Sequence, residues 1–279
     1  MGTLSFTKMQ GLGNDFIVLD DLEFPPATSG QISSRLAQKL CDRRFGIGAD
    51  QILWLKKAQS SENDFRMEIL NADGSQAEMC GNGIRAVALY RHSSQKKQSQ
   101  EYRIETLGGV KLARVQGSLV SVDMGIPSLG KGFENQGEEI EVLGKKLRFY
   151  EVDVGNPHAV IFVDQVESFP VEQFGPEIEK HPRFPERTNV EFVELINPHS
   201  IRVRVWERGA GITLACGTGA CAAVVASLQT KKTLNPVQVS LPGGELQIQW
   251  RGEKSSIMME GPALEVFRGQ LSILESGLI

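Results

Sequence analysis

The chain has 279 residues, 41% hydrophobic and 23% charged, with 30 Lys and Arg against 34 Asp and Glu for a net charge of −4. That length can build one large domain or two ordinary ones, each with a full core. Mild acidity without a basic block argues against nucleic acid as a partner, no apolar run reaches a membrane span, and the start, MGTLSFTKMQGLGND, lacks the charged and apolar regions of a signal peptide.

In chain order, Ile32, Leu36 and Leu40 recur four apart after a Ser/Gly start and predict a helix over about residues 30–42. FRMEIL (65–70) alternates apolar and polar residues and predicts a half-buried strand, followed by a hairpin turn at Asp73-Gly74. AEMCGNGIRAVALY, from Ala77, then places Cys80 before a Gly-x-Gly and an apolar run that predicts a second helix. VKLARV (110–115) and LVSVDM (119–124) read as strands, and MGIPSLGKG (124–132) as a crossover between halves. IRVRVW (201–206) predicts another strand, and TLACGTGACAAVVA, from Thr213, repeats the cysteine, Gly-x-Gly and helix pattern around Cys216. This last helix is apolar nearly all round, so it should be buried on every side. VQVSL (237–241) and ELQIQW (245–250) close the set as strands.

The two cysteine segments form an internal repeat. With Cys80 over Cys216, MEILNADGSQAEMCGNGIRAVALY falls on VRVWERGAGITLACGTGACAAVVA without a gap, matching Ile69 with Val205, Gly81 with Gly217 and Gly83 with Gly219. LGND (12–15) and VGNP (154–157) give a weaker echo. The fold class expected is therefore α/β (α+β): two pseudo-symmetric strand-rich halves, each a sheet or open barrel wrapped around a central apolar helix. The expected division is residues 1–126 plus 266–279 with Cys80, and residues 127–265 with Cys216.

A cysteine that opens a helix sits at its positive end, where the first N–H groups lack intrahelical partners. The dipole there favours thiolate and is expected to lower the thiol pKa toward neutrality. The glycines let a ligand approach the backbone and form an anion cradle. A lone cysteine in such a place is more often a small buried hydrophobe; two in matching sockets shift that weight. Cys41 and Cys221 have no such setting and read as structural. Two thiols suit inversion of a carbon alpha to a carboxylate. One base cannot reach both faces of a fixed carbon, whereas a thiolate and a thiol can remove one proton and deliver another. Helix N-termini would stabilise the carboxylate charge that develops. The scheme requires no cofactor, and neither a disulfide framework nor a metal site is expected from four cysteines without a Cys-x-x-Cys pair and four scattered histidines.

KMQGLGNDFIVLD (8–20), FGIGADQ (45–51), NADGSQAEMCGNGIRA (71–86), VGNPHAV (154–160), RTNVEF (187–192) and WERGAGITLACGTGACA (206–222), in that order, resemble the diaminopimelate epimerases. These are cofactor-independent amino-acid racemases, and the resemblance spans essentially the whole chain. It implies two pseudo-symmetric halves with the site in the cleft between them, a last strand near 264–269 that returns to the first half, and a cytoplasmic enzyme of lysine and peptidoglycan-precursor synthesis that interconverts LL- and meso-2,6-diaminopimelate. By the same resemblance Cys80 and Cys216 are the two bases, with Cys80 taking the proton from the LL substrate. Gly81, Asn82, Gly217 and Thr218 supply backbone donors to the reacting carboxylate. Asn14 and Gln51 lie near the reacting amine, Asn71, Asn189, Glu207 and Arg208 hold the distal end, Asn156 adds a polar contact, and His158 and Glu207 set thiol protonation. Independently, Arg208 could grip a far carboxylate in a fork and Glu207 pair with a far ammonium.

The partner expected is thus a small diamino diacid; the sequence leaves the oligomeric state open, a homodimer included. The rival readings are a proline or hydroxyproline racemase, which has no second ammonium for Glu207 to bind, and a thiol–disulfide redox protein or a non-catalytic amino-acid binder. The last has no use for two activated thiols.

Overall fold

The computed structural model describes residues 2–24, 32–94, 100–134 and 136–273. Its contacts divide the chain into two compact units, Met1–Val122 with Pro262–Ile279, and Asp123–Gly261. Both boundaries fall a few residues before those expected from sequence, because the chain from Pro262 onward already packs with the first unit. The stretch 274–279 of the expected first half lies outside the described residues.

In the first unit, β1 (Gly2–Gly11) pairs antiparallel with both β2 (Asn14–Asp20) and the last strand, β19 (Leu264–Ile273). β2 runs parallel to β3 (Gln51–Lys56), and between them lies α1 (Ser34–Cys41), capped by Ser33, whose side chain accepts from the Leu36 N–H. The helix expected over 30–42 is thus real but shorter, and residues 30 and 31 lie outside the described residues. β3 pairs antiparallel with β4 (Phe65–Asn71), which turns through Gly74, at φ +81°, into the short β5 (Gln76–Ala77). α2 (Gly81–Ser94) follows, then β6 (Glu101–Thr106) parallel to β4, β7 (Gly109–Gln116) and β8 (Leu119–Asp123) as an antiparallel meander.

The second unit repeats this wiring. After β9 (Ser128–Leu129), β10 (Glu138–Val142) pairs antiparallel with β11 (Lys145–Asp153), and β11 with β12 (Pro157–Phe162). β12 runs parallel to β13 (Asn189–Asn197), with α3 (Val171–Glu179) between them. β14 (Ser200–Glu207), β15 (Gly211–Thr213), α4 (Gly217–Gln229), β16 (Val237–Leu241) and β17 (Gly244–Trp250) follow, and β18 (Ile257–Pro262) ends the meander. β14 is antiparallel to β13 and β15 and parallel to β16, as β4 is to β3, β5 and β6. Even the register agrees: Ile69 faces Ala77, and Val205 faces Thr213.

Each unit wraps its strands around one helix. α4 contacts β11 to β14, β16 and β17, and its Ala220, Cys221, Ala222, Ala223, Val224 and Val225 are all fully buried. Small side chains let strands approach on every side, and each excluded methylene is worth about 0.8 kcal/mol. α2 is the less apolar partner: Arg85 and Arg91 are buried in it, Arg91 pairing with Asp20 at 2.8 Å. α3 escapes a sequence reading because Pro176 lies inside it, where the ring normally breaks the helix ladder. No helix among the described residues is long and apolar enough to cross a membrane.

Candidate active site

Both cysteines hold the same position. Cys216 is the N-cap of α4, with its Sγ accepting the Gly219 N–H at 3.4 Å and its carbonyl accepting the Ala220 N–H at 2.9 Å. Cys80 does the same for α2: Sγ accepts the Gly83 N–H at 3.3 Å and the carbonyl accepts the Ile84 N–H at 2.9 Å. The N–H groups of Gly81 and Asn82, and of Gly217 and Thr218, occupy the first turns of these helices, where no intrahelical carbonyl can reach them. Among the described residues none of the four cysteines is joined in a disulfide.

The second glycine of each Gly-x-Gly has a packing role that the sequence reading did not assign. A Cβ on Gly219 would lie 2.6 Å from Glu191 Oε1, and one on Gly83 would lie 3.0 Å from Leu53 Cδ2. These glycines make room for a neighbouring strand, whereas Gly81 and Gly217 are left at the helix mouths.

In the first unit, Asn14 stands beside the sulfur. Its Oδ1 accepts from the Cys80 thiol at 3.6 Å and from Asn82 Nδ2 at 3.5 Å, while its Nδ2 donates to Asp50 Oδ2 at 3.0 Å. Asp50, which the sequence reading passed over, therefore fixes which end of the amide faces Cys80. Asp50 is held in turn by Arg43, which also forks onto Asp15 at 2.7 and 2.9 Å, and Asp15 meets the buried Lys8 at 2.7 Å. Burial pulls the Asp15 carboxyl up, but hydrogen bonds from Arg43 and Lys8 outweigh it and hold the group well below the usual carboxylate range. Gln51, next in the chain, donates to Asn71 Oδ1 at 2.8 Å, and Asn71 donates to Ser75 at 3.0 Å, so that amide pair is locked across β3 and β4.

In the second unit the surroundings are acidic. Glu207 is hydrogen-bonded to Cys216 and accepts from the Thr213 hydroxyl. Thr218 Oγ1 lies 3.4 Å from Cys216 Sγ and accepts from Asn156 Nδ2 at 3.4 Å. Asn156 Oδ1 lies 2.9 Å from His158 Nε2, and His158 Nδ1 lies 2.7 Å from Glu191 Oε1. Asn189 is buried and spent on backbone, donating to the Pro157 carbonyl and accepting the Arg208 N–H, both at 2.9 Å. Glu207 and Arg208 do not form the pair their adjacency suggests. Glu207 turns toward sulfur, whereas the exposed Arg208 guanidinium reaches the Glu186 carbonyl at 3.2 Å.

These surroundings overturn one expectation. The helix dipole was to lower both thiols, yet the Cys216 thiol is pushed well above its ordinary value, first by burial and then by the charges of Glu207 and Glu191. Hydrogen bonds from Thr218 and Gly219 oppose that shift without overcoming it. Burial, with repulsion from Glu191, likewise pushes Glu207 up, against the bonds from Thr213 and Cys216 and the His158 charge. Cys41, read as structural, is pushed up to about 11 by burial.

The sequence reading also missed Glu191. It stands in RTNVEF, one of the segments singled out, and its signal is an acidic residue inside a strand whose neighbours Val190, Phe192 and Val193 are all core residues.

Comparison with known proteins places the chain in a family. The diaminopimelate epimerase family profile matches residues 6–130 and 150–266. The diaminopimelate epimerase of Carboxydothermus hydrogenoformans is 48% identical over 276 residues, covering 96% of this chain and 99% of its own. That of Microcystis aeruginosa is 48% identical (95% and 98% covered), and that of Pseudomonas aeruginosa is 43% identical (97% and 99% covered). Among solved structures, a hydroxyproline epimerase of Agrobacterium vitis superposes with a TM-score of 0.72 at 17% identity, covering 99% of this chain and 96% of its own. A PhzF-family protein of Bacillus anthracis gives 0.71 at 16% identity, with 98% and 100% covered. At such identity these two share the fold alone, while the profile and the three epimerases span almost the whole sequence: the chain belongs to the diaminopimelate epimerase family.

Proposed function

We propose that this chain interconverts LL- and meso-2,6-diaminopimelate, with Cys80 and Cys216 as the two bases. The observation that carries the reading is the matched pair of sulfurs, each capping a buried central helix and each accepting the N–H three residues on. In the LL direction, Cys80 as thiolate takes the α-proton, and the C–H electron pair passes into the neighbouring carboxylate. Cys216 then gives its S–H proton to the opposite face. Cys80 ends as thiol and Cys216 as thiolate, so the reverse reaction starts from the opposite state.

The asymmetry of the sockets supports that direction. Cys216, buried and beside two carboxylates, is held as thiol. Cys80 is only half-buried, and its acceptor is the amide oxygen of Asn14. The substrate's α-ammonium would take that oxygen and, being positive, favour the Cys80 thiolate. Gln51 would stand near the same amine. N–H groups of Gly81, Asn82, Gly217 and Thr218 would bind the reacting carboxylate and stabilise its growing charge. Asn156 would add a polar contact. Asn71, Glu207 and Arg208 would read the distal amino-acid end, Arg208 by a carboxylate fork, with Asn189 holding the Arg208 backbone in place. His158 and Glu207 would govern proton balance at the thiols.

Support for diaminopimelate over proline comes from the second charged end that Arg208 can hold and from the full-length match to diaminopimelate epimerases. On this reading the protein serves lysine and peptidoglycan-precursor synthesis in the cytoplasm, with a homodimer as the assembly for light scattering to test. Reduced protein in heavy water should place deuterium at an α-carbon of diaminopimelate without added cofactor. Exchange with proline alone would reassign it to the rival racemases, and dithiol turnover without exchange would make it a redox protein.

A further inference from the structure

Resting on the two-cysteine reading, we propose that Glu191 is a positioning residue for the reaction. Its buried carboxylate holds His158 with the proton on Nδ1 and directs Nε2 along Asn156 and Thr218 toward Cys216.

The symmetry of the fold isolates this residue. Phe16 faces Gln51 across β2 and β3 as His158 faces Asn189 across β12 and β13. Leu53 faces Ile69 as Glu191 faces Val205, and Ile69 lies over Val205 in the sequence repeat. The same two places in the same wiring thus hold Phe16 and Leu53 in one unit and His158 and Glu191 in the other. All four are buried, with Leu53 and Glu191 both at 0% exposure. An apolar pair therefore satisfies the fold at these positions, so packing alone does not call for a carboxylate.

The carboxylate is also costly where it stands. Glu191 Oε1 meets His158 Nδ1 at 2.7 Å, but Oε2 has no hydrogen-bond partner among the described residues. A buried charge with an unmatched oxygen destabilises the native state, and Gly219 is needed to admit it. A carboxylate can only accept, so the pairing settles the proton on Nδ1. With Nδ1–H given to Glu191, the other nitrogen is the working edge, and because Asn156 Oδ1 can only accept, Nε2 donates to it. From that edge run Asn156 at 2.9 Å, Thr218 at 3.4 Å and Cys216 at a further 3.4 Å. The charged or titratable groups around this chain are Glu191 from β13, Glu207 from β14 and Cys216 at the head of α4.

The test compares the whole wild-type enzyme with Glu191→Gln. Nitrogen-15 spectra of the histidine side chains should show His158 of the wild type protonated at Nδ1, and Glu191→Gln should lose that fixed form. Its kcat should fall roughly 10- to 100-fold, as when the partner of an oriented histidine is removed, with KM changed less than about threefold. Cys216 should be alkylated at lower pH than in wild type, and Tm should be unchanged or higher. Should Glu191→Gln fail to fold, Glu191→Leu places the first unit's own residue there, and the wild-type spectrum decides by itself. An unprotonated Nδ1 in the wild type, or wild-type kcat and alkylation profile in the variant, would overturn the proposal. Absence of α-carbon exchange in the wild type would instead sink the epimerase reading, which the substrate-free spectrum does not depend on.

Discussion

The two sockets differ in what surrounds an otherwise common frame. Around Cys80, α2 carries buried arginines, and the Asn14 amide meets the sulfur and bonds in turn to the Asn82 amide. Around Cys216, α4 is packed with alanine and valine, and two carboxylates, Glu207 and Glu191, bear on the sulfur. A repeat thus duplicates the backbone device, a sulfur at a helix start, while divergence of the flanking side chains gives each sulfur its own surroundings and pushes the Cys216 thiol up. The proposed two-base reaction asks for like placement of the two sulfurs in unlike surroundings.

The sharpest way to break the comparison is to remove each sulfur in turn. Cys80→Ser and Cys216→Ser should each lower epimerisation by about 10³-fold, the scale of one general acid–base group, measured as deuterium uptake from each stereoisomer. Full activity in either variant would refute the two-base scheme. A smaller contrast lies in reactivity. Mass spectrometry after brief iodoacetamide treatment near pH 7.5 should find Cys80 labelled first, because it is half-buried, while Cys216 stays a buried thiol and Cys41 is pushed up to about 11. Equal labelling of Cys80 and Cys216 would erase the proposed difference between them.

Two further effects fall on stability. Asp15 braces the first socket through Arg43 and Asp50, and its carboxyl is held low in the folded state. A lowered native pKa stabilises the fold above the unfolded value of about 3.9 and loses that effect as pH falls through the native value. Asp15→Asn should therefore cost about 3 kcal/mol at pH 7, since the 9%-exposed Lys8 side chain is left without its partner. The gap from wild type should close toward pH 2, and urea unfolding at several pH values would show it. The smallest contrast is between glycines. Gly219→Ala drives a Cβ to 2.6 Å from Glu191 Oε1 and should destabilise by about 2 kcal/mol. Gly83→Ala meets only the Leu53 side chain at 3.0 Å, which can shift, and the helix gain of up to about 1 kcal/mol should offset it. Equal Tm changes in the two variants would show that Glu191 does not crowd α4.

Much of the frame is legible in the chain. Alternation marks β4, β7, β8, β14, β16 and β17, and cysteine before Gly-x-Gly marks the starts of α2 and α4, because these patterns depend on neighbours a few residues apart. α3 is not legible, since Pro176 argues against a helix that tertiary packing of Phe174 and Ile178 nonetheless supports. Asn14, Gln51, Asn156 and His158 could be named from family motifs, but their hydrogen-bond partners could not. Nothing in FGIGADQ or RTNVEF says that Asp50 turns the Asn14 amide or that Glu191 backs His158.

By itself, then, the sequence determined the repeat, the two helix-capping sulfurs and the family, since glycine spacing and apolar period act locally and survive without knowledge of contacts. Tertiary structure alone decided the protonation of Cys216, the separation of Glu207 from Arg208, and the burial of Glu191 where its counterpart is leucine. A thiol's ionisation and a carboxylate's direction depend on burial and on charges brought close from distant strands, which no local pattern encodes.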